Sequence, residues 1–293
     1  MTVKEARRIV REFDKRKKPS EDEIFMFTEA MDFLIKELND PADMLYLGGY
    51  YYEQKRFDLA LKYYEMAASF DYDPAYECLG YVWYYGRTGQ RDYEKAFGYF
   101  SKLMEKGDLV ATYKVADMYK NGYFVEKDYA KYCEIIEDLY PKVVNCRNLF
   151  DPVPEVFTRL ARIRKEEGKL EDAANLYLRA KDFLAQRIRY NAFFGNLNIM
   201  KWLIDDLYEI IEFDEEFFDF YDLYYVLKSP HKVTFMYEEQ VMNLESVMEG
   251  SECTVCFNDK WFRSRDDFFK DAMVGGTTAT TVYDDFYAFE VVE

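Results

Sequence analysis

A stretch of this chain repeats itself, and that self-similarity constrains the fold more than any other feature. The segment Ala75–Gly107, AYECLGYVWYYGRTGQRDYEKAFGYFSKLMEKG, falls without a gap on the residues 36 positions later. Ala75, Leu79, Gly80, Trp83, Gly86, Asp92, Tyr93 and Lys95 meet Ala111, Val115, Ala116, Tyr119, Gly122, Asp128, Tyr129 and Lys131. Going backwards, Leu47, Gly48 and Tyr51 match Leu79, Gly80 and Trp83 at a shift of 32, and Ala60, Tyr63 and Tyr64 match Ala96, Tyr99 and Phe100 at 36. The difference falls between two helices, where a loop lengthens at little cost. A fourth copy spans Glu155–Leu184, with Leu160, Ala161, Leu170, Ala173, Tyr177 and Ala180 on Leu47, Gly48, Phe57, Ala60, Tyr64 and Ala67. Periods of this length mean stacked supersecondary units.

Each copy reads as a helical hairpin. Leu79, Gly80 and Trp83 share one face of a 3.6-residue helix, and Gly80 leaves room for the second helix to approach. Gly86 and Gly107 sit where glycine terminates helices, and Asp92 is placed to cap the second helix. Ala96, Phe97, Phe100, Leu103 and Met104 are expected to face the first. One hairpin cannot bury its apolar stripe alone, so the copies must stack.

The pattern Leu79-Gly80-x-x-Trp83-x-x-Gly86, followed by Asp92-Tyr93-x-Lys95-Ala96 and Phe100, resembles the Sel1-like repeat, a relative of the tetratricopeptide repeat. Copies one and four are closer to plain tetratricopeptide repeats, and copy three departs from the pattern with Tyr132 in place of a small alanine. The resemblance covers roughly residues 42–184. It implies an adaptor or scaffold without chemistry of its own.

The expected fold class is therefore mostly α: an α-α superhelical solenoid of helical hairpin repeats with a small C-terminal α+β domain. The expected organisation is capping helices over 1–40, Sel1-like repeats over 41–140, tetratricopeptide-like and irregular hairpins over 141–228, and the α+β domain over 229–293. Val3–Lys17 reads as an amphipathic helix with a basic outer face, and Ser20 with Glu23 as a capping box for a helix through Leu38. Asn145–Pro154 reads as a connector, and Gln186–Phe213 as one more helical pair. After Ser229-Pro230, strand-like density appears at Lys232–Tyr237, Glu252–Asn258 and Thr277–Val292. Phe268, Phe269, Ala272 and Met273 read as a short helix closed by Gly275-Gly276.

Chemistry is scarce. Phosphate-loop, dinucleotide, kinase and nucleophile-elbow signatures do not occur, and His231 is the only histidine. The expectation is no enzyme, no cofactor and no metal. Cys253 and Cys256 form a CxxC on a strand, where residues three apart face opposite ways and suit a shared metal poorly. The five scattered cysteines do not suggest a disulfide framework. A net charge of −17 repels nucleic acid and anionic lipid, so direct binding to either is not expected. With no long apolar run and no secretory signal, the expected location is cytoplasmic, and a monomer is favoured.

The expected partner is another protein. Setting the core on Leu47, Leu79, Val115 and Leu160 leaves Tyr52, Glu77, Tyr81, Tyr84, Tyr85, Tyr113, Asp117, Lys120, Asn121, Arg162 and Lys165 facing an inner, tyrosine-lined groove. Tyrosine suits such contacts. A second reading starts from Asp205, Asp206, Glu209, Glu212, Asp214, Glu215 and Glu216, within a run to Asp222 that holds no basic residue. It makes the chain an acidic inhibitor or immunity-type protein that blocks a basic nucleic-acid-processing enzyme or toxin.

Overall fold

A computed structural model describes residues 1–249 and 252–292. The chain divides into two compact units, Met1–Tyr132 and Cys133–Glu293.

In the first unit, α1 (Val3–Phe13) and α2 (Glu21–Leu38) both open on reciprocal capping boxes, Thr2 with Glu5 and Ser20 with Glu23. Helix α1 stops at Phe13, short of the expected Lys17, because Asp14 takes the cap position. Next come the hairpins α3 (Pro41–Glu53) with α4 (Phe57–Ala68) and α5 (Asp73–Tyr85) with α6 (Tyr93–Glu105), then α7 (Leu109–Asn121). Helix α8 (Tyr129–Val143) runs across the division between the units.

Close helix approach rests on the two glycines that recur between copies. A Cβ on Gly80 would stand 2.6 Å from the Phe100 ring, and one on Gly48 would stand 2.6 Å from Tyr64. The small residue on the first helix thus makes the socket for the ring on the second. Gly86 and Gly122 end α5 and α7 in the left-handed region, at φ 65° and 71°. Asp92 and Asp108 accept from the backbone N–H groups of Lys95 and Ala111 and start α6 and α7. In the third copy Tyr132 is wholly buried in place of the small residue.

The second unit contains α9 (Val153–Glu166), α10 (Leu170–Tyr190) and α11 (Phe194–Leu207). The expected pair over Gln186–Phe213 is corrected here. Helix α10 continues unbroken through Tyr190, α11 is a single helix, and the chain after Tyr208 is irregular until a 3-10 turn (Phe220–Asp222) leads into α12 (Leu223–Val226). Ala185 and Ile188 carry the buried stripe of α10 onward, so nothing breaks the helix at Leu184.

A five-stranded antiparallel sheet follows, ordered β4-β3-β2-β1-β7: β1 (Lys232–Tyr237), β2 (Gln240–Glu249), β3 (Glu252–Phe257), β4 (Lys260–Phe262) and β7 (Tyr287–Val292). Strand β2, absent from the sequence expectation, is central. Helix α13 (Arg265–Asp271) follows β4, and its Phe268 and Phe269 are fully buried. Met273 belongs to the short strand β5 (Met273–Val274) rather than to that helix, and half of its surface is exposed. Thr277–Val292 is two strands, β6 (Thr277–Thr278) and β7, separated by short 3-10 turns. Phe235 stacks on Phe257 and Phe289, and Phe268 meets Phe257 and Phe262 edge-on, so this core is largely aromatic.

Candidate functional site

The groove residues of the first unit gather around a side chain that the sequence reading passed over. Lys114 is only 7% exposed, and its Nζ lies 5.2–5.6 Å from the ring centres of Tyr81, Tyr84, Tyr85 and Tyr113. Four negative ring faces around one ammonium give repeated cation–π attraction. Tyr81 and Tyr85, one turn apart on α5, stack nearly parallel at 6.0 Å, and Tyr84 meets Tyr85 edge-on at 5.1 Å. Tyr123, just beyond α7, stacks on Tyr93 at 4.3 Å and touches Tyr84.

A second cation extends this face toward α3. The Arg87 guanidinium sits 5.3 Å from the Tyr85 ring and 6.0 Å from Tyr52. Tyr52, Tyr85 and Tyr113 therefore belong to one aromatic surface joined by Arg87 and Lys114. Tyr85 is the most exposed ring of this group at 44%, while Tyr113 is buried. Glu77 is half-buried on α5, and burial, reinforced by Asp108, raises its carboxyl above the ordinary value while Lys114 opposes the shift. Burial also pushes the Tyr84 phenol upward, so it stays a neutral donor at physiological pH.

Of the remaining candidates on α7, Asp117 adds to the upward push on the Tyr84 phenol, whereas the other two turn elsewhere. Lys120 lies over the Tyr132 ring at 4.9 Å, and Asn121 donates to the Asp117 carbonyl of its own helix at 2.7 Å.

In the second unit the two candidate sets meet each other. Arg162 Nε donates to Asp206 Oδ2 at 2.6 Å, and Lys165 Nζ pairs with Glu209. Lys228 pairs with Asp205 at 2.7 Å. Lys181 reaches both Asp219 and Asp222, at 2.8 and 2.6 Å. Five of the nine acids from Asp205 to Asp222 are thus matched by bases from other elements. Glu212, Asp214, Glu215 and Glu216 remain exposed, with no basic partner among the described residues.

His231 Nδ1 sits beside Ser229 at 3.2 Å. All five cysteines are free thiols. Among the described residues no three His, Cys, Asp or Glu side chains gather as metal ligands would, and no helix is long and apolar enough to cross a membrane.

The arrangement has the fold of Sel1-like repeat proteins. It is similar to the crystal structure of a Sel1 repeat protein from Oxalobacter formigenes, with a TM-score of 0.51 and 20% identity over 69% of this chain and 75% of that one. A protective antigen of uropathogenic Escherichia coli strains, displaying an SLR fold, gives a TM-score of 0.45 and 17% identity over 65% of this chain and 46% of its own. No protein-family model and no curated protein matches the sequence.

Proposed function

We propose that this chain is a non-catalytic scaffold that holds a segment of a partner protein against the aromatic face of α3, α5 and α7. The observation that carries this reading is the gathering of Tyr81, Tyr84 and Tyr85 around Lys114, with Tyr85 open to solvent. Large rings held rigid by a buried cation lose little conformational freedom on binding, which is what a contact anchor requires. Glu77 and Asp117 beside the rings favour a partner segment with basic side chains. Arg162 and Lys165 are left out, because Asp206 and Glu209 already engage them.

The test is quantitative capture by the wild-type chain and by Tyr81→Ala/Tyr85→Ala. Loss of one partner with the double substitution, and its retention with Leu61→Ala on α4, supports the reading. Equal yield from all three chains overturns it.

The second reading, an acidic inhibitor of a basic enzyme, is favoured by the exposed carboxylates Glu212, Asp214, Glu215 and Glu216. Charge reversal there would abolish such binding, and affinity would fall steeply with salt. Affinity insensitive to salt would exclude it.

A further inference from the structure

A cleft of about 450 Å3 in the second unit collects four cations, Lys201, Lys228, Arg263 and Arg265, from a chain whose net charge is −17. Asp266 and Asp267 are the acids in its lining, and Met248 and Cys253 supply the apolar part. The four cations are not equally engaged. Lys201 Nζ contacts both Asp266 oxygens, at 2.8 and 3.1 Å, and Lys228 holds Asp205 at 2.7 Å. Arg265 donates to the Tyr224 backbone carbonyl, a neutral acceptor that fixes the guanidinium without cancelling its charge. Arg263 is exposed. Among the described residues neither guanidinium has a carboxylate within ion-pair distance.

Two unmatched guanidiniums beside two ammoniums make a site for concentrated negative charge. A guanidinium presents paired N–H donors that match phosphoryl or carboxylate oxygens, which an ammonium does not. The cleft is far larger than the ~30 Å3 share of one water, so it has room for more than one anionic group. Its lining contains no aromatic ring, hence no platform on which a nucleobase would stack. The acidic remainder of the chain does not defeat such binding, because charges more than about 10 Å away are screened at ordinary ionic strength.

The geometry points to this cleft as a binding site for a small anion of the diphosphate class, with Arg263 and Arg265 taking phosphoryl oxygens and Lys201 and Lys228 supplying further charge. This site shares no residue with the tyrosine face of the first unit, so either assignment can fail alone.

Calorimetric titration of inorganic pyrophosphate into the full chain tests it, with inorganic phosphate as the parallel probe. The expected result is saturable one-to-one binding of pyrophosphate, weakened at least tenfold by Arg263→Ala and unchanged by Lys15→Glu near the N-terminus. Arg263 is exposed, so its loss leaves folding intact. Equal weakening by both substitutions, equal affinity for inorganic phosphate, or the absence of saturable binding overturns the proposal. A second readout uses the thiols: pyrophosphate should slow alkylation of Cys253, which lines this cleft, and spare Cys256, which lines another. Equal or absent protection overturns it as well.

Discussion

Arg162 and Asp206 stand 44 positions apart in sequence, yet the guanidinium Nε donates to the carboxylate at 2.6 Å, with the Tyr177 hydroxyl 3.4 Å from the same oxygen. Both charged side chains are more than half withdrawn from solvent, whereas the adjacent pair, Lys165 with Glu209, leaves its carboxylate 64% exposed. Arg162→Ala should therefore lower stability by about 1–2 kcal/mol, since it strands a partly buried acceptor. Lys165→Ala should stay within about 0.5 kcal/mol, as exposed pairs do. Urea denaturation of the two variants separates them, and equal losses would show that burial does not set the difference.

Gly80 and Gly98 offer opposite outcomes for the same substitution. A methyl group in a helix gains up to about 1 kcal/mol over glycine. At Gly98 on α6 nothing lies within 4 Å of the new Cβ, so Gly98→Ala should stabilise the chain. At Gly80 the Cβ would stand 2.6 Å from Phe100, whose ring is fully buried and has nowhere to go. Overpacking of about 1–3 kcal/mol exceeds the helical gain, and Gly80→Ala should destabilise. Thermal midpoints moving the same way in both variants would refute the socket.

These contrasts show which features sequence spacing could reveal. Gly80 and Phe100 are legible because both lie within one repeat, and their counterparts Gly48 and Tyr64 recur in the previous copy. Lys114 was hidden because it occupies an ordinary helical position, and its meaning comes from rings on another helix. A lysine in the middle of the apolar run Leu109–Met118 was the available signal. Strand β2 was missed because its turn, Glu238-Glu239, takes left-handed backbone at φ 45° and 64° without the glycine or asparagine that usually marks such hairpins. The acidic run looked unpaired for a related reason: its bases arrive from α9, α10 and Lys228, and nothing local announces them.

Asp71 gives a pH-dependent prediction. Lys102 at 2.7 Å, Lys106 at 3.1 Å and the Tyr76 hydroxyl at 3.0 Å hold its carboxyl well below the ordinary carboxylate range. A depressed folded-state value stabilises the protein above the unfolded value, near 3.8, and that contribution disappears as pH falls below it. Asp71 lies at φ 57°, a backbone that asparagine tolerates, so Asp71→Asn tests charge alone. Its melting temperature should lie below wild type at pH 7, and the gap should close under strong acid. A gap independent of pH would contradict the assignment.

Lys114 makes a prediction of the opposite sign. Glu77 has a raised folded-state value, so its contribution is favourable below the ordinary 4.5 and is lost as pH climbs through the raised value. Lys114 limits that loss. Lys114→Met keeps the bulk, removes the cation, and should destabilise by about 2 kcal/mol at pH 7 and markedly less at pH 4, where Glu77 is neutral. Denaturant midpoints at the two pH values decide the matter, since a constant penalty would mean that packing rather than charge is at stake.

A deeply set ion pair joins α10 to the segment leading into α12. Lys181 is 8% exposed at its side chain, Asp222 is 4% exposed, and their charged atoms are 2.6 Å apart. Burial pushes the Asp222 carboxyl upward against the pull of Lys181, which is the signature of a charge retained only because its partner is present. Removing one member of such a pair costs about 3–5 kcal/mol, while neutralising both is far milder. Lys181→Met should therefore be severely destabilising, and adding Asp222→Asn, which keeps the oxygen that accepts from the Asp219 backbone, should recover most of the loss. The recovery is measured as the coupling energy of a double-mutant cycle. Additive losses would mean that the two side chains stabilise the segment independently, and the clasp between α10 and residues 219–222 would have to be sought in its apolar contacts.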